Sequence, residues 1–87
     1  MANGDWHTFR DIDTALGAAK GTAFRAFKQL RPELVEGRDF SVLRADTHGR
    51  RIESLRRNGR IYASSVNVVL LSASTRTLIE QNLPGRA

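Results

Sequence analysis

Four polar side chains in the first third of the chain are spaced to act together. With Thr22 at zero and about 100° per residue, the α-helical period, Thr22, Arg25, Lys28 and Gln29 fall on one side of a helix. Ala23, Phe24, Ala26, Phe27 and Leu30 fall on the other. A row of hydroxyl, guanidinium, ammonium and amide groups is what holds phosphates and reads base edges. Arg25 suits a two-pronged bond to guanine and Gln29 one to adenine, while Lys28 and the preceding Lys20 suit phosphates. The start of this helix, near Gly21 and Thr22, is expected to offer free backbone N–H groups to a phosphate as well. Phe24 and Phe27 read as core residues rather than as a stacking platform. The plainer alternative is an amphipathic helix whose polar side only meets water.

A second basic group lies further on. Up to Leu43, Arg10, Lys20, Arg25, Lys28, Arg31 and Arg38 are matched by Asp5, Asp11, Asp13, Glu33, Glu36 and Asp39. From Arg44 onward, Arg44, Arg50, Arg51, Arg56, Arg57, Arg60, Arg76 and Arg86 face only Asp46, Glu53 and Glu80, so the net charge of +5 sits in the second half. Arg50, Arg51, Arg56, Arg57 and Arg60 are the candidates for tracking a polyanionic backbone or entering a minor groove. Glu53 can pair with Arg50 or Arg57 on one helix face, yet Asp46 and Glu53 cannot neutralise all the arginines from Arg44 to Arg60.

These residues need elements to position them. Thr8 is placed to cap a short helix, with Asp11 in a capping-box position and Gly17 to end it. Phe9, Ile12, Ala15 and Leu16 recur at helical spacing, and Trp6 reads as core packing at the entrance. Ala18-Ala19-Lys20 makes a turn, and the second helix must stop at Arg31 because Pro32 disfavours helix in the residue before it. A connector, Glu33–Gly37, is expected to give Gly37 a positive φ. Asp39–Leu43 alternates as a strand, and Arg60–Ala63 and Val66–Leu71 read as further strands of one small sheet. Tyr62 falls on the first of these two, half buried. Between them and Asp39–Leu43, Ala45–Asn58 reads as a partly helical excursion, with a long mobile wing as the alternative. Ser72 caps a last helix, Ala73–Asn82, with Leu78 and Ile79 inward. Val66, Val68, Val69, Leu70 and Leu71 are more apolar than one sheet face requires, which points to core strand or a dimer seam.

The expected fold is α+β: one small winged helix-turn-helix-like domain over 1–87, with two N-terminal helices, a small antiparallel sheet and a C-terminal helix, and frayed tails at 1–5 and 84–87. The segment from Phe9 to Phe40 (F-R-D-I-D-T-A-L-G, then F-R-A-F-K-Q-L, then E-G-R-D-F) resembles small phage and mobile-element regulators. These are the excisionases, the MerR-like winged helices and the phage antirepressors. The run I-Y-A-S-S-V-N-V-V-L-L-S-A-S-T-R-T-L-I is similar to the antirepressor pattern of an aromatic strand followed by a capped helix. The resemblance implies a recognition-helix role for Thr22, Arg25, Lys28 and Gln29 and a wing role for Arg50 to Arg60. The chain departs from excisionases in the length of Asp46–Asn58, where they have a compact hairpin.

Other chemistries find little footing. The chain has no cysteine, so no disulfide or thiolate site, and His7 and His48 lack metal-ligand spacing. Ser64, Ser65, Ser72 and Ser74 have no nucleophile-elbow context, and there is no phosphate-binding or dinucleotide fingerprint. No enzyme, metal or cofactor is expected. The expected partner is double-stranded DNA, with a homodimer to extend base reading. The rival reading is a protein-binding modulator, an antirepressor or antiactivator that grips a regulator protein or polymerase. Asp5, Asp11 and Asp13 favour that rival because acids on the first helix would repel a nearby phosphate. An RNA-binding role lacks the exposed aromatic pairs of single-strand readers. No apolar run is long enough for a membrane span, and the first residues lack a signal-peptide pattern, so a cytoplasmic location is expected.

Overall fold

The computed structural model describes residues 6–83. The expected frayed tails at 1–5 and 84–87 lie outside the described residues. The first helix, α1, spans Phe9–Leu16. Thr8 Oγ1 accepts from the Asp11 N–H at 3.0 Å while the Asp11 carboxylate accepts from the Thr8 N–H at 2.9 Å, which closes the expected capping box. Gly17, at φ 63°, turns the chain out of the helix in the left-handed region that favours glycine. The second helix, α2, spans Thr22–Leu30. Pro32 then tightens Arg31–Glu33 into a single 3-10 turn, one residue earlier than expected. Gly37 has the expected positive φ, 94°.

Two four-residue strands, β1 (Phe40–Leu43) and β2 (Val68–Leu71), pair antiparallel with Phe40 opposite Leu71 and Leu43 opposite Val68. Leu71 also exchanges backbone bonds with His7 on its other side, at 2.8 and 2.7 Å. Opposed residues in an antiparallel ladder share a face, so Phe40, Val42, Val69 and Leu71 point one way and Leu43, Val68 and Leu70 the other. The first set joins Ile12, Ala23, Ala26, Phe27, Leu34, Ile79 and Leu83 in the larger cluster, under α1, α2 and the C-terminal helix. The second set joins Ile52 and Ile61, with Trp6 and Leu55 against them. Burial on both faces explains why Val68–Leu71 is apolar without alternation: the strand separates two cores.

The second core is roofed by a helix, α3, spanning Ala45–Arg57. It is longer than the partly helical excursion expected, with a kink at His48 (φ −128°, ψ 34°), and it excludes the mobile-wing alternative. The expected strand Arg60–Ala63 does not form. The N-cap and first turn of α1 take its acceptors instead: Thr8 Oγ1 donates to the Arg60 carbonyl and Arg10 Nη1 to the Ile61 carbonyl at 3.0 Å. With those acceptors satisfied, the segment has no call for a strand partner, and Ile61 alone is driven into the core. β2 starts two residues later than expected, because Asn67 turns its Oδ1 to the Ala45 N–H at 2.9 Å and Val66 stands out in solvent.

The last helix, α4, spans Ala73–Gln81, capped by Ser72 at the Thr75 N–H as expected. Thr75 and Ile79, four apart, line its inner stripe and are fully buried. Leu78, expected inward, lies off that stripe and is 41% exposed. The result is a small α+β structure of four helices and a two-stranded antiparallel sheet among the described residues.

Candidate nucleic-acid interface

α2 lies with Ala23, Ala26 and Phe27 buried and with Arg25, Lys28 and Gln29 in solvent, as its period predicts. Thr22 is half buried, and its hydroxyl donates to the Ala19 carbonyl at 2.7 Å. The Phe24 expectation fails: the ring is 43% exposed. It meets Phe9 edge-on at 5.4 Å between centroids, and Lys28 Nζ sits 5.5 Å from its centre. On the helical wheel Phe24 falls at about 200°, the margin of the apolar arc beside Lys28, and burial stops short of it.

The free N–H groups expected at the start of α2 are not free. Asp13, 1% exposed, reaches from α1 and accepts from the Gly21 N–H at 3.2 Å and the Ala23 N–H at 2.9 Å. The Thr22 N–H goes to the Ala19 carbonyl at 3.1 Å. Gly21, in the N-cap position, has no side chain to do this, so a carboxylate from the neighbouring helix caps α2 and complements its dipole. The Tyr62 hydroxyl donates the third bond to Asp13, at 2.6 Å. Burial, reinforced by that bond to a carboxylate, pushes the Tyr62 phenol up to about 12.

Asp11 is also occupied internally. Arg60 grips it with two prongs, Nε to Oδ1 at 2.8 Å and Nη2 to Oδ2 at 2.6 Å, and Nη2 also donates to the Trp6 carbonyl at 3.2 Å. Burial pushes the Asp11 carboxyl up, but the Arg60 and Thr8 bonds together with the Arg60 charge outweigh it and hold the group below its ordinary value. The same pairing raises Arg60.

The residues 62–67 form a loop pinned from two sides. From α1 and the Gly17–Gly21 turn, Lys20 Nζ donates to Ser64 Oγ at 3.1 Å, and Arg10 and Lys20 lie 5.4 and 5.1 Å from the Tyr62 ring centre. From α3, Arg56 donates to the Ser65 carbonyl and to Glu53. Glu53 therefore pairs with Arg56, not with the expected Arg50 or Arg57. Ser65 lies at the boundary of two depressions, one running to Lys20, Gly21 and Phe24, the other to Arg50, Arg56 and Arg57. The basic side chains of the two halves thus flank one loop.

Arg50 and Arg57, seven residues apart, share within about 20° the side of α3 opposite Ile52, with Arg51 beside Leu55. Among the described residues, no ion pair engages Arg25, Lys28, Arg50, Arg51 or Arg57, and all five are exposed. Arg56 and Arg60, expected among the backbone-tracking arginines, instead tie the loop and α1 into the fold. Sequence reasoning missed Arg10, Asp13 and Asn67 as positioning residues. A helix opening on glycine with no capping side chain of its own was the available signal for Asp13. His7 lies against Arg76 at 3.1 Å and His48 against Thr47 at 3.0 Å, on different elements. No helix among the described residues is long and apolar enough to cross a membrane. No family model, curated protein or solved structure matches the chain.

Proposed function

We propose that the protein is a sequence-specific DNA-binding regulator of winged helix-turn-helix type, a transcriptional regulator or recombination-directionality factor of the phage and mobile-element kind. In this reading α1 and α2 form the helix pair, and α2 enters the major groove with Arg25, Lys28 and Gln29 toward the bases. β1 and β2 are the strands of the wing, with α3 and the 62–67 loop built into its tip. Arg50, Arg51 and Arg57, with Lys20, hold phosphates. Arg56 and Arg60 act one step back, by positioning the loop.

The observation that carries the reading is an asymmetry of charge. Six exposed basic side chains, Arg25, Lys28, Arg31, Arg50, Arg51 and Arg57, have no ion pair or side-chain hydrogen bond among the described residues, against two such acids, Glu33 and Glu36, while Asp11 and Asp13 are turned inward and hydrogen-bonded. The repulsion that favoured a protein-binding modulator loses two of its three sources, since neither Asp11 nor Asp13 is free to face a phosphate; Asp5 lies outside the described residues. Titrating purified protein against mixed genomic duplex by fluorescence anisotropy at rising salt tests the proposal. Binding should fall steeply with salt, and Arg50→Gln with Arg57→Gln should flatten the log–log slope by about 2. Arg25→Ala should weaken a selected cognate site more than random duplex. Absence of binding at low salt would overturn the proposal.

A further inference from the structure

The depression between α1, the start of α2 and residues 61–69 has a composition that DNA contact does not require. It encloses about 270 Å³. Its wall is apolar, formed by Phe9, Phe24, Ile61 and Val69, and two cations, Arg10 and Lys20, stand on its rim. Each cation keeps hydrogen-bond donors to spare: Lys20 spends one of three on Ser64, and Arg10 one of five on the Ile61 carbonyl. Phe24 is the second observation. It is a large aromatic left 43% exposed in a concave wall, where most of the other phenylalanine surface of the chain is packed away.

We infer that this cleft is a binding site for a small aromatic carboxylate, a single ring bearing one anionic group. Ligand pockets are concave and mostly apolar, with a few polar groups that fix orientation, and run to roughly 300–1,000 Å³ for drug-sized ligands. A cleft just under that range takes one ring and excludes a nucleotide or a lipid chain. The ring covers Phe24 and Phe9, which prefer edge-to-face or offset contact. The carboxylate lies at the rim between Lys20 and Arg10, where charge-assisted bonds are available. No acid lines the cleft; Asp13, bonded to the lining residues Tyr62 and Gly21, is buried with both oxygens already accepting bonds, and Asp11, bonded to Thr8, is held by Arg60, so neither offers a seat to a cation. A cationic ligand would meet Arg10 and Lys20 first.

The test is an amide-resolved NMR titration of the full chain, without nucleic acid, using benzoate, benzyl alcohol and acetate. Benzoate should shift the amides of Gly21, Phe24, Tyr62 and Val69 saturably. Benzyl alcohol and acetate, which lack the charge and the ring respectively, should bind at least tenfold more weakly. Lys20→Gln, a change at an exposed position, should weaken benzoate at least fivefold while leaving amide shifts outside the cleft in place. Phe24→Ala should weaken it by a similar factor. Shifts scattered over the surface, equal binding of either control, or an unchanged affinity in both variants would overturn the inference. Because no DNA enters the titration, its outcome is independent of the duplex assay.

Discussion

The two faces of the β1–β2 sheet are covered in very different ways. On one, three helices and three phenylalanines interlock, with Phe27 meeting Phe9 at 5.2 Å and Phe40 at 5.3 Å. On the other, a thirteen-residue helix rests on one buried side chain, Ile52, with Leu55 beside it. The heavily packed face holds the base-reading helix of the proposed function, and the lightly packed face holds its phosphate-binding arginines. Base reading demands side chains fixed to fractions of an ångström, whereas phosphate contact tolerates adjustment. The division of packing matches that division of labour.

This contrast can be broken by substitution. Phe27→Ala should have the largest effect, about 4 kcal/mol in chemical denaturation, because it opens a cavity where three elements meet. Against a typical stability of about 5–15 kcal/mol, it should take down the whole fold. Asp13→Ala should cost roughly 3 kcal/mol, since it strands the Gly21 and Ala23 N–H groups and the Tyr62 hydroxyl. Ile52→Ala should cost about 2 kcal/mol, and hydrogen exchange should show it as faster opening of α3 with α1 and α2 still protected. Equal acceleration across all helices would mean that the two faces form one cooperative unit.

Tyr62→Phe gives the smallest and most specific effect. The phenol titrates at its ordinary value of 10.0 when unfolded and at about 12 when folded. The folded state therefore holds the proton more tightly, and the stabilisation is full below pH 10 and lost as pH rises through about 12. The stability gap between wild type and Tyr62→Phe should narrow over that window in urea titrations. A constant gap would show that the hydroxyl contributes only neutral packing.

Much of the helical part of the fold is legible along the chain because its signals are local. Thr8 with Asp11, Gly17, Pro32 and Ser72 each act within one turn of where they stand. Phe24 marks where that ends: a wheel assigns it to the apolar side, but the width of the buried arc is decided by what packs against it. Arg60–Ala63 has the composition of a strand, yet Thr8 and Arg10, some fifty residues away, took the carbonyls a strand partner would have used. The exposed row Arg25, Lys28 and Gln29 follows from periodicity alone. The division of the second-half arginines between phosphate candidates and internal ties does not, because it depends on where Asp11, Glu53 and the Ser65 carbonyl come to rest.

Leu43 and Val68 face each other across the last rung of the sheet, so everything from 44 to 67 leaves and returns at neighbouring points of the backbone, about 5 Å apart. Such a segment is topologically a cassette. A two-residue turn could close the same rung, and the strand register would be held by the pairs from Phe40–Leu71 to Leu43–Val68 alone. Exchange of the cassette between chains would alter what the arginine-bearing helix touches without re-aiming α2, provided the incoming piece brought its own cover for Leu43, Val68 and Leu70 and its own partners for Thr8, Arg10, Asp11 and Asp13.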